Sequence, residues 1–212
     1  GAGSEIVFPL PCDEEGRLCM ASLPAITARL ENMDAVLLGP GLGRSEELTR
    51  LVQAVLLRCR APLVLDADGI NAVAGHIDVL RGCACPVVLT PHDGEFLRLG
   101  GDPKAADRTQ EAMRLADRTH AVLLLKGSRT VITDGLNVYV NHTGNPGLAA
   151  GGSGDVLAGM LVSLLGQHIM PLEAAAAAAW LHGSAADLAA QELGEYGMVP
   201  EDLLLRIPRL LP

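Results

Sequence analysis

Short apolar runs alternate with helical patterns along most of the chain. Four such runs lead into turn-forming or polar residues, at positions 35–38, 63–65, 87–89 and 122–125. Helical patterns occupy residues 46–58 and about 108–117, and Ser45 is placed to cap the first of them. Strands that alternate with helices predict an α/β fold, with a mainly parallel sheet and helices on both faces.

The second half of the chain begins with a predicted hairpin, in which residues 130–133 and 137–140 flank Asp134-Gly135. A glycine-rich loop, residues 144–154, then leads into a predicted helix from Asp155 to His168. Pro171 opens a longer helix, which contains an alanine run and reaches about Leu193. Because no repeat or linker interrupts this series, we expect one domain over residues 1–212.

Polar residues follow most of the predicted strands. In open α/β sheets, ligands bind beyond the carboxyl ends of the strands. We therefore expect these polar residues to converge on one crevice: Asp66, Asp68, His92, Lys126 and Asp134.

Composition narrows the classes of function. The chain has 212 residues, of which 49% are hydrophobic and 19% charged, as in a globular protein with one core. A net charge of −9 and an aromatic content of 2% argue against a nucleic-acid partner. No apolar stretch approaches the ~20 residues of a membrane span, so we expect no membrane partner. Five irregularly spaced cysteines predict reduced thiols in a cytoplasmic protein rather than zinc ligands.

The glycine-rich loop carries the clearest chemical signal. Gly151, Gly152 and Gly154 let the backbone approach an anion closely, and the following helix directs unpaired N–H groups at the same point. Asp155 stands in the first turn of that helix, where it is either a capping carboxylate or a base beside a bound phosphate. The loop is not a Walker A motif, because no Gly-Lys-Ser/Thr sequence follows it.

Residues 151–159, Gly-Gly-Ser-Gly-Asp-Val-Leu-Ala-Gly, resemble the G-G-T-G-D-x-L-A-G anion-hole motif of ribokinase-like kinases. Five more sequence blocks indicate which branch of this superfamily the chain resembles. They are LGPGLG (38–43), LDADGIN (65–71), LTPHDGEF (89–96), LKGSRT (125–130) and TGNPG (143–147). In this order they are similar to the NAD(P)H-hydrate dehydratases. Those enzymes remove water from hydrated NADH or NADPH (NADHX or NADPHX), coupled to hydrolysis of ADP or ATP.

The resemblance implies a ribokinase-like fold and a nucleotide site. Asp155 would act as the general base that takes the proton of the substrate hydroxyl. ADP or ATP, accompanied by Mg²⁺, would contact residues of two segments, 126–130 and 145–154: Lys126, Gly127, Ser128, Arg129, Thr130, Asn145, Gly151, Gly152, Ser153 and Gly154. The resemblance assigns no side chain as a metal ligand.

The resemblance also implies a groove for the hydrated substrate, formed by Gly41, Gly43, His92, Asp93, Glu95 and Asp155. Ordinary structural roles remain open for some of these residues. A lone histidine such as His92 is often a plain surface or core residue, and Glu95 is spaced to pair with Arg98.

Several other polar residues are expected to have structural roles. Asp66, Asp68 and Asn71 could orient water or magnesium, but turn or cap formation is their expected role. Asp187 and Glu192 are expected on the solvated face of the last long helix. Trp180 is expected in the core or at a subunit interface, and the five histidines other than His92 receive no role.

Two other functions and one departure from the family pattern are also open. A ribokinase-like kinase acting on the hydroxyl of a vitamin precursor would share the glycine-rich loop and Asp155, and a non-catalytic nucleotide-binding subunit would share the loop. Family members usually carry a further strand–loop–helix unit before the segment that starts here with Gly1-Ala2-Gly3. The resemblance therefore predicts an N-terminally short domain, and a homo-oligomer with a tetramer as one form.

Overall fold

The computed structural model describes residues 6–211, which form one sheet of six strands. The strands lie in the order of the chain: β1 (Val36–Leu38), β2 (Leu63–Leu65), β3 (Val87–Leu89), β4 (Val122–Leu125), β5 (Val131–Thr133) and β6 (Val138–Val140). The first four are parallel, while β5 and β6 are antiparallel to their neighbours. The expected α/β sheet and hairpin are confirmed, whereas the expectation about Gly1-Ala2-Gly3 lies outside the described residues.

Helices cover both faces of this sheet. One face carries a 3-10 turn (Met20–Ser22), α1 (Leu23–Leu30), α2 (Glu46–Leu56), α3 (Asp68–Val73), α4 (Asp78–Arg81), α5 (Asp93–Arg98) and α6 (Arg108–Thr119). The other face carries a 3-10 turn (Pro146–Leu148), α7 (Ser153–Gly166), α8 (Pro171–Leu193), α9 (Pro200–Leu204) and a 3-10 turn (Ile207–Arg209). None of the helices in this part of the chain is long and apolar enough to cross a membrane.

The strand side chains alternate between two apolar clusters. In β2, Leu63 and Leu65 pack with the helices of the first face, and Val64 packs with α7 and α8. All three are fully buried, as expected for a parallel strand covered on both sides. Buried alanines of α8, such as Ala174 and Ala178, let that helix lie close to the sheet.

The start of α7 differs from the prediction. Gly152 adopts the left-handed conformation, with φ of 91°, and the helix begins at Ser153 rather than at Asp155. The helix ends at Gly166, two residues before His168. By contrast, α2 begins where expected, because the Ser45 side chain accepts a hydrogen bond from the Leu48 N–H at 3.0 Å.

One edge of the sheet, where β1 to β4 end, collects most of the predicted site residues, and we call it the carboxyl edge. The turn 126–130 lies there because β5 runs back antiparallel to β4. Asn141 returns the chain to this edge after β6, where its N–H donates to the Thr130 carbonyl at 2.9 Å. Asp134 instead follows β5 at the opposite edge, so the prediction that it joins the crevice is wrong.

Candidate functional site

Lys126, at the end of β4, lies on the carboxyl edge beside two carboxylates. Its Nζ lies 3.1 Å from Asp66 Oδ1 and 4.0 Å from Glu95 Oε2. Asp66 is 2% exposed and also accepts a hydrogen bond from the Thr90 hydroxyl at 2.7 Å. Asp66 is therefore the buried partner of Lys126 rather than the turn or cap residue that we expected.

The N-terminus of α7 faces the same point as Lys126. A side chain on Gly154 would place its Cβ 3.6 Å from Lys126 Nζ. Among the described residues, the N–H groups of Gly154 and Asp155 find no acceptor. Unpaired N–H groups, the positive end of the helix dipole and an ammonium together favour an anion. We call Lys126, Gly154 and Asp155 the anion pocket.

Asp155 is an exposed residue in the first turn of α7. Gly152, rather than Asp155, is the N-cap of α7. Within residues 6–211 the Asp155 side chain takes part in no hydrogen bond or ion pair, so the capping interpretation is not supported. Asp155 also borders an open cavity of about 490 Å³, lined in addition by Val156, Gly159, Met160, Ser163 and Leu204.

His92 and Glu95 form a capping box at the start of α5. His92 Nδ1 accepts hydrogen bonds from the N–H groups of Gly94 and Glu95, at 2.9 and 3.4 Å. Glu95 Oε2 accepts from the His92 N–H at 3.0 Å. Glu95 is buried and contacts His92 and Lys126; in the described structure it does not pair with Arg98. The His92 side chain is 55% exposed, and its Nε2 lies 3.5 Å from Glu95 Oε1.

Arg108, the first residue of α6, joins two predicted site segments and was missed by the sequence analysis. Its guanidinium lies 2.7 Å from Asp93 Oδ1 and donates to the Lys126 carbonyl at 2.8 Å. A side chain on Gly127 would lie 3.1 Å from this guanidinium. Arg108 therefore fixes the end of β4 relative to α5. No local pattern marks it, because its partners are 15 and 18 residues away.

The turn after Lys126 presents an exposed surface. Thr130 Oγ1 donates to the Gly127 carbonyl at 3.1 Å and closes the turn. Ser128 and Arg129 lie between them and are exposed. The block predicted to contact a nucleotide therefore has a fixed backbone and two outward side chains.

The loop after β1 faces α3 across the carboxyl edge. Gly41 and Gly43 have φ of 70° and 75°, and each has open space where a side chain would be. Asp68 accepts hydrogen bonds from the Gly43 N–H at 3.0 Å and from Arg44 Nε at 3.1 Å. Although burial opposes it, the hydrogen bonds from Arg44, Asn71 and Gly43 hold the pKa of Asp68 below its usual value. Asp68 therefore joins the loop after β1 to α3; it is not the cap of α3, because Ala67 is the N-cap.

One residue of α8, Asp187, contacts the start of the glycine-rich loop. Asp187 accepts hydrogen bonds from Gly144 and Asn145, so the expectation that it is simply solvated is wrong. Glu192 is half exposed and pairs with Arg206 and Arg209. Trp180 is 48% exposed, which excludes a place in the core.

The described residues hold no group of three His, Cys, Asp or Glu side chains that could bind a metal ion. A divalent cation at the anion pocket would therefore depend on oxygen atoms of a bound phosphate, which is common for Mg²⁺. The five cysteines are free thiols.

Comparisons with known proteins point to one family. A family model described as NAD(P)H-hydrate dehydratase matches residues 5–209. The bifunctional NAD(P)H-hydrate repair enzyme Nnr of Moorella thermoacetica is 46% identical over 211 residues, covering 97% of this chain and 40% of that enzyme. The chain thus spans about 40% of the length of the curated relatives it matches.

Solved structures of related fold include a member of the same family. An ADP/ATP-dependent NAD(P)H-hydrate dehydratase from Bacillus subtilis, co-crystallized with ATP and Mg²⁺, is similar with a TM-score of 0.74 and 33% identity. The match covers 87% of this chain and 68% of that one. A hydroxyethylthiazole kinase from Pyrococcus horikoshii has a TM-score of 0.67 at 19% identity, covering 87% of this chain and 73% of the kinase. This second likeness concerns the fold alone.

Proposed function

The chain belongs to the NAD(P)H-hydrate dehydratase family, and we propose that it dehydrates NADHX or NADPHX, coupled to hydrolysis of ADP or ATP. One observation carries this proposal. Lys126 Nζ lies beside Gly154 in the first turn of α7, where the N–H groups of Gly154 and Asp155 are unpaired among the described residues and Asp155 is exposed. A phosphate at that point would bring its phosphorus within reach of a hydroxyl held by Asp155.

The reaction needs a better leaving group than hydroxide. Asp155 takes the proton of the hydroxyl group on the hydrated ring, and the oxygen attacks the terminal phosphorus of the nucleotide. The new P–O bond forms as the bond to the departing AMP or ADP breaks. The ring C–O bond then breaks, phosphate leaves with its electron pair, and the neighbouring ring carbon loses a proton. The products are the reduced dinucleotide, inorganic phosphate and the shortened nucleotide.

The anion pocket supports this chemistry by stabilising charge on the transferring phosphoryl group. Backbone N–H groups are fixed before the reaction, so they need no reorganisation as charge develops. The ammonium of Lys126, which is paired with Asp66, would add a direct contact to the phosphate. Mg²⁺ would arrive bound to the nucleotide and neutralise its phosphate oxygens, without a set of protein ligands.

The remaining site residues are proposed to hold the two ligands in order. The turn 126–130 and Asn145 to Gly154 would contact the nucleotide. His92 Nε2 and the open backbone at Gly41 and Gly43 would contact the hydrated substrate. The support for this division is positional, because both groups of residues lie along the carboxyl edge on either side of the anion pocket.

We also propose a cytoplasmic homo-oligomer. The free thiols support a reducing compartment. The half-exposed Trp180 and Tyr139, at 48% and 46%, support a further protein contact. Light scattering of the purified protein gives the oligomeric state directly.

The test of function is recovery of NADH absorbance from NADHX. We expect recovery with ADP or ATP and none without a nucleotide. The absence of any nucleotide-dependent gain would refute the dehydratase proposal. Phosphate transfer from ATP to a vitamin-precursor alcohol, measured in parallel, would favour the kinase. ADP binding in a calorimetric titration, with no turnover in either assay, would favour the non-catalytic nucleotide-binding subunit.

A further inference from the structure

One stretch of α8, residues 179–187, contacts the glycine-rich loop at both ends. At the start of the loop, the Asp187 carboxylate accepts hydrogen bonds from the Gly144 N–H at 2.9 Å and from Asn145 Nδ2 at 3.0 Å. At its end, His182 Nε2 lies 3.0 Å from the Ser153 carbonyl oxygen and 3.2 Å from Ser153 Oγ. The loop is thus fixed at two points by a single helix.

The same stretch of α8 also holds the segment that precedes the loop. Asn141 Nδ2 donates to the Ala179 carbonyl at 3.2 Å, and Thr143 Oγ1 donates to the Trp180 carbonyl at 3.1 Å. Any side chain on Gly183 would collide with Thr143. The close approach of helix and loop therefore requires a glycine at position 183.

His182 has a defined hydrogen-bonding state in this arrangement. A carbonyl oxygen only accepts, so the contact with Ser153 requires a hydrogen on His182 Nε2. His182 is 7% exposed. Burial is the main reason that its pKa falls to about 4; the hydrogen bond to Ser153 opposes this shift, and the charge of nearby Lys126 adds to it. At neutral pH the ring is therefore an uncharged hydrogen-bond donor.

We propose that His182 and Asp187 are positioning residues for the nucleotide phosphate. Neither reaches the anion pocket itself. His182 fixes Ser153, the first residue of α7, and so sets the direction of the N–H groups of Gly154 and Asp155. Asp187 fixes Gly144 and Asn145 at the other end of the loop. This inference rests on the proposed function, because it takes the anion to be the phosphate of ADP or ATP.

Loss of His182 or Asp187 should affect the nucleotide and the hydrated substrate differently. Rotation of the first turn of α7 would misdirect the phosphate contacts, while His92, Gly41 and Gly43 on other elements would stay in place. Loss of either positioning residue should therefore weaken ADP binding and lower kcat. The KM for NADHX should stay nearly unchanged, which general destabilisation of the fold would not produce.

The experiment compares His182→Leu with His182→Gln, whose amide keeps a donor. We expect His182→Leu to weaken ADP binding about 10-fold in calorimetry, the equivalent of one lost hydrogen bond, with the KM for NADHX within about twofold. His182→Gln should recover most of the affinity. His76→Leu, which changes an exposed histidine at the opposite edge, is the matched control and should bind ADP normally.

Asp187→Asn provides a second measurement that keeps the size of the side chain. It retains an acceptor for Gly144 and loses the one for Asn145, so we expect a weaker effect than that of Asp187→Leu. The inference is overturned if His182→Leu or Asp187→Leu binds ADP as the wild type does, or if His182→Gln is no better than His182→Leu. A wild-type protein that fails to bind ADP would refute the proposed function, and the inference with it, before any variant is compared.

Discussion

Lys126 Nζ lies 3.1 Å from Asp66 Oδ1, and this pair spans β3 to join the ends of β4 and β2. The Thr90 hydroxyl at the end of β3 donates to the same carboxylate oxygen. Three neighbouring strands are thereby tied together below the anion pocket. Lys126 is the counter-ion of a buried carboxylate, and the proposed function gives it a second role as a contact for phosphate.

The two roles of Lys126 can be separated by mutation. Lys126→Met leaves the buried Asp66 charge unpaired, and we expect it to lower the free energy of unfolding by about 3 kcal/mol. It should also weaken ADP binding at least 10-fold, since one ammonium–phosphate contact is lost. Adding Asp66→Asn removes the unpaired charge, so the double variant should regain stability in denaturant titration without regaining ADP affinity.

The control for this comparison is Lys104→Met, which changes the other lysine of the chain at an exposed position. It should alter neither stability nor ADP binding. Recovery of ADP affinity in the Lys126→Met/Asp66→Asn variant would show that the lysine serves only as a counter-ion.

Gly39 sets the contact between the ends of β1 and β2. Its φ is 142°, and a side chain there would collide with the Asp66 carbonyl oxygen. We expect Gly39→Ala to destabilise the protein by more than ~3 kcal/mol, because the backbone of both strand ends would have to move. Gly75→Ala, with φ of 80° in open space, should cost only about 1 kcal/mol. Equal unfolding midpoints for the two variants would contradict this assignment.

His182 should make the protein sensitive to acid. Its pKa is about 4 in the folded protein, because of burial, and about 6.5 when unfolded. The unfolded chain therefore binds the proton first as the pH falls. The stability that His182 contributes is complete above pH 6.5 and is lost between pH 6.5 and 4, by roughly 3 kcal/mol in all.

The measurement is a series of urea titrations between pH 7 and 4, on the wild type and on His182→Gln. We expect a shallower decline of the unfolding free energy in the variant, because its amide does not titrate. Parallel pH profiles would show that His182 contributes nothing to acid sensitivity.

Local patterns predicted the fold and the segments of the site better than its contacts. Short apolar runs that end in turn residues predicted the strands, and the glycine-rich loop with Asp155 predicted the start of α7 to within two residues. Asp134 was predicted at the wrong edge of the sheet. Because β5 runs antiparallel to β4, a residue that follows β5 lies at the edge opposite to the one where β4 ends. The roles of Asp66, Arg108, His182 and Asp187 depend on partners 15 to 60 residues away in the chain, which spacing along one element does not reveal.

The most direct test of the account is the turnover of Asp155→Asn. The change keeps the shape of the side chain and removes the base, so ADP should bind as in the wild type while ADP-dependent recovery of NADH from NADHX falls at least 100-fold. Asp78→Asn makes the same change in the first turn of α4 at the opposite edge, and it should leave the rate unchanged. Turnover of Asp155→Asn at the wild-type rate would contradict the account, because no base would then be needed at the anion pocket.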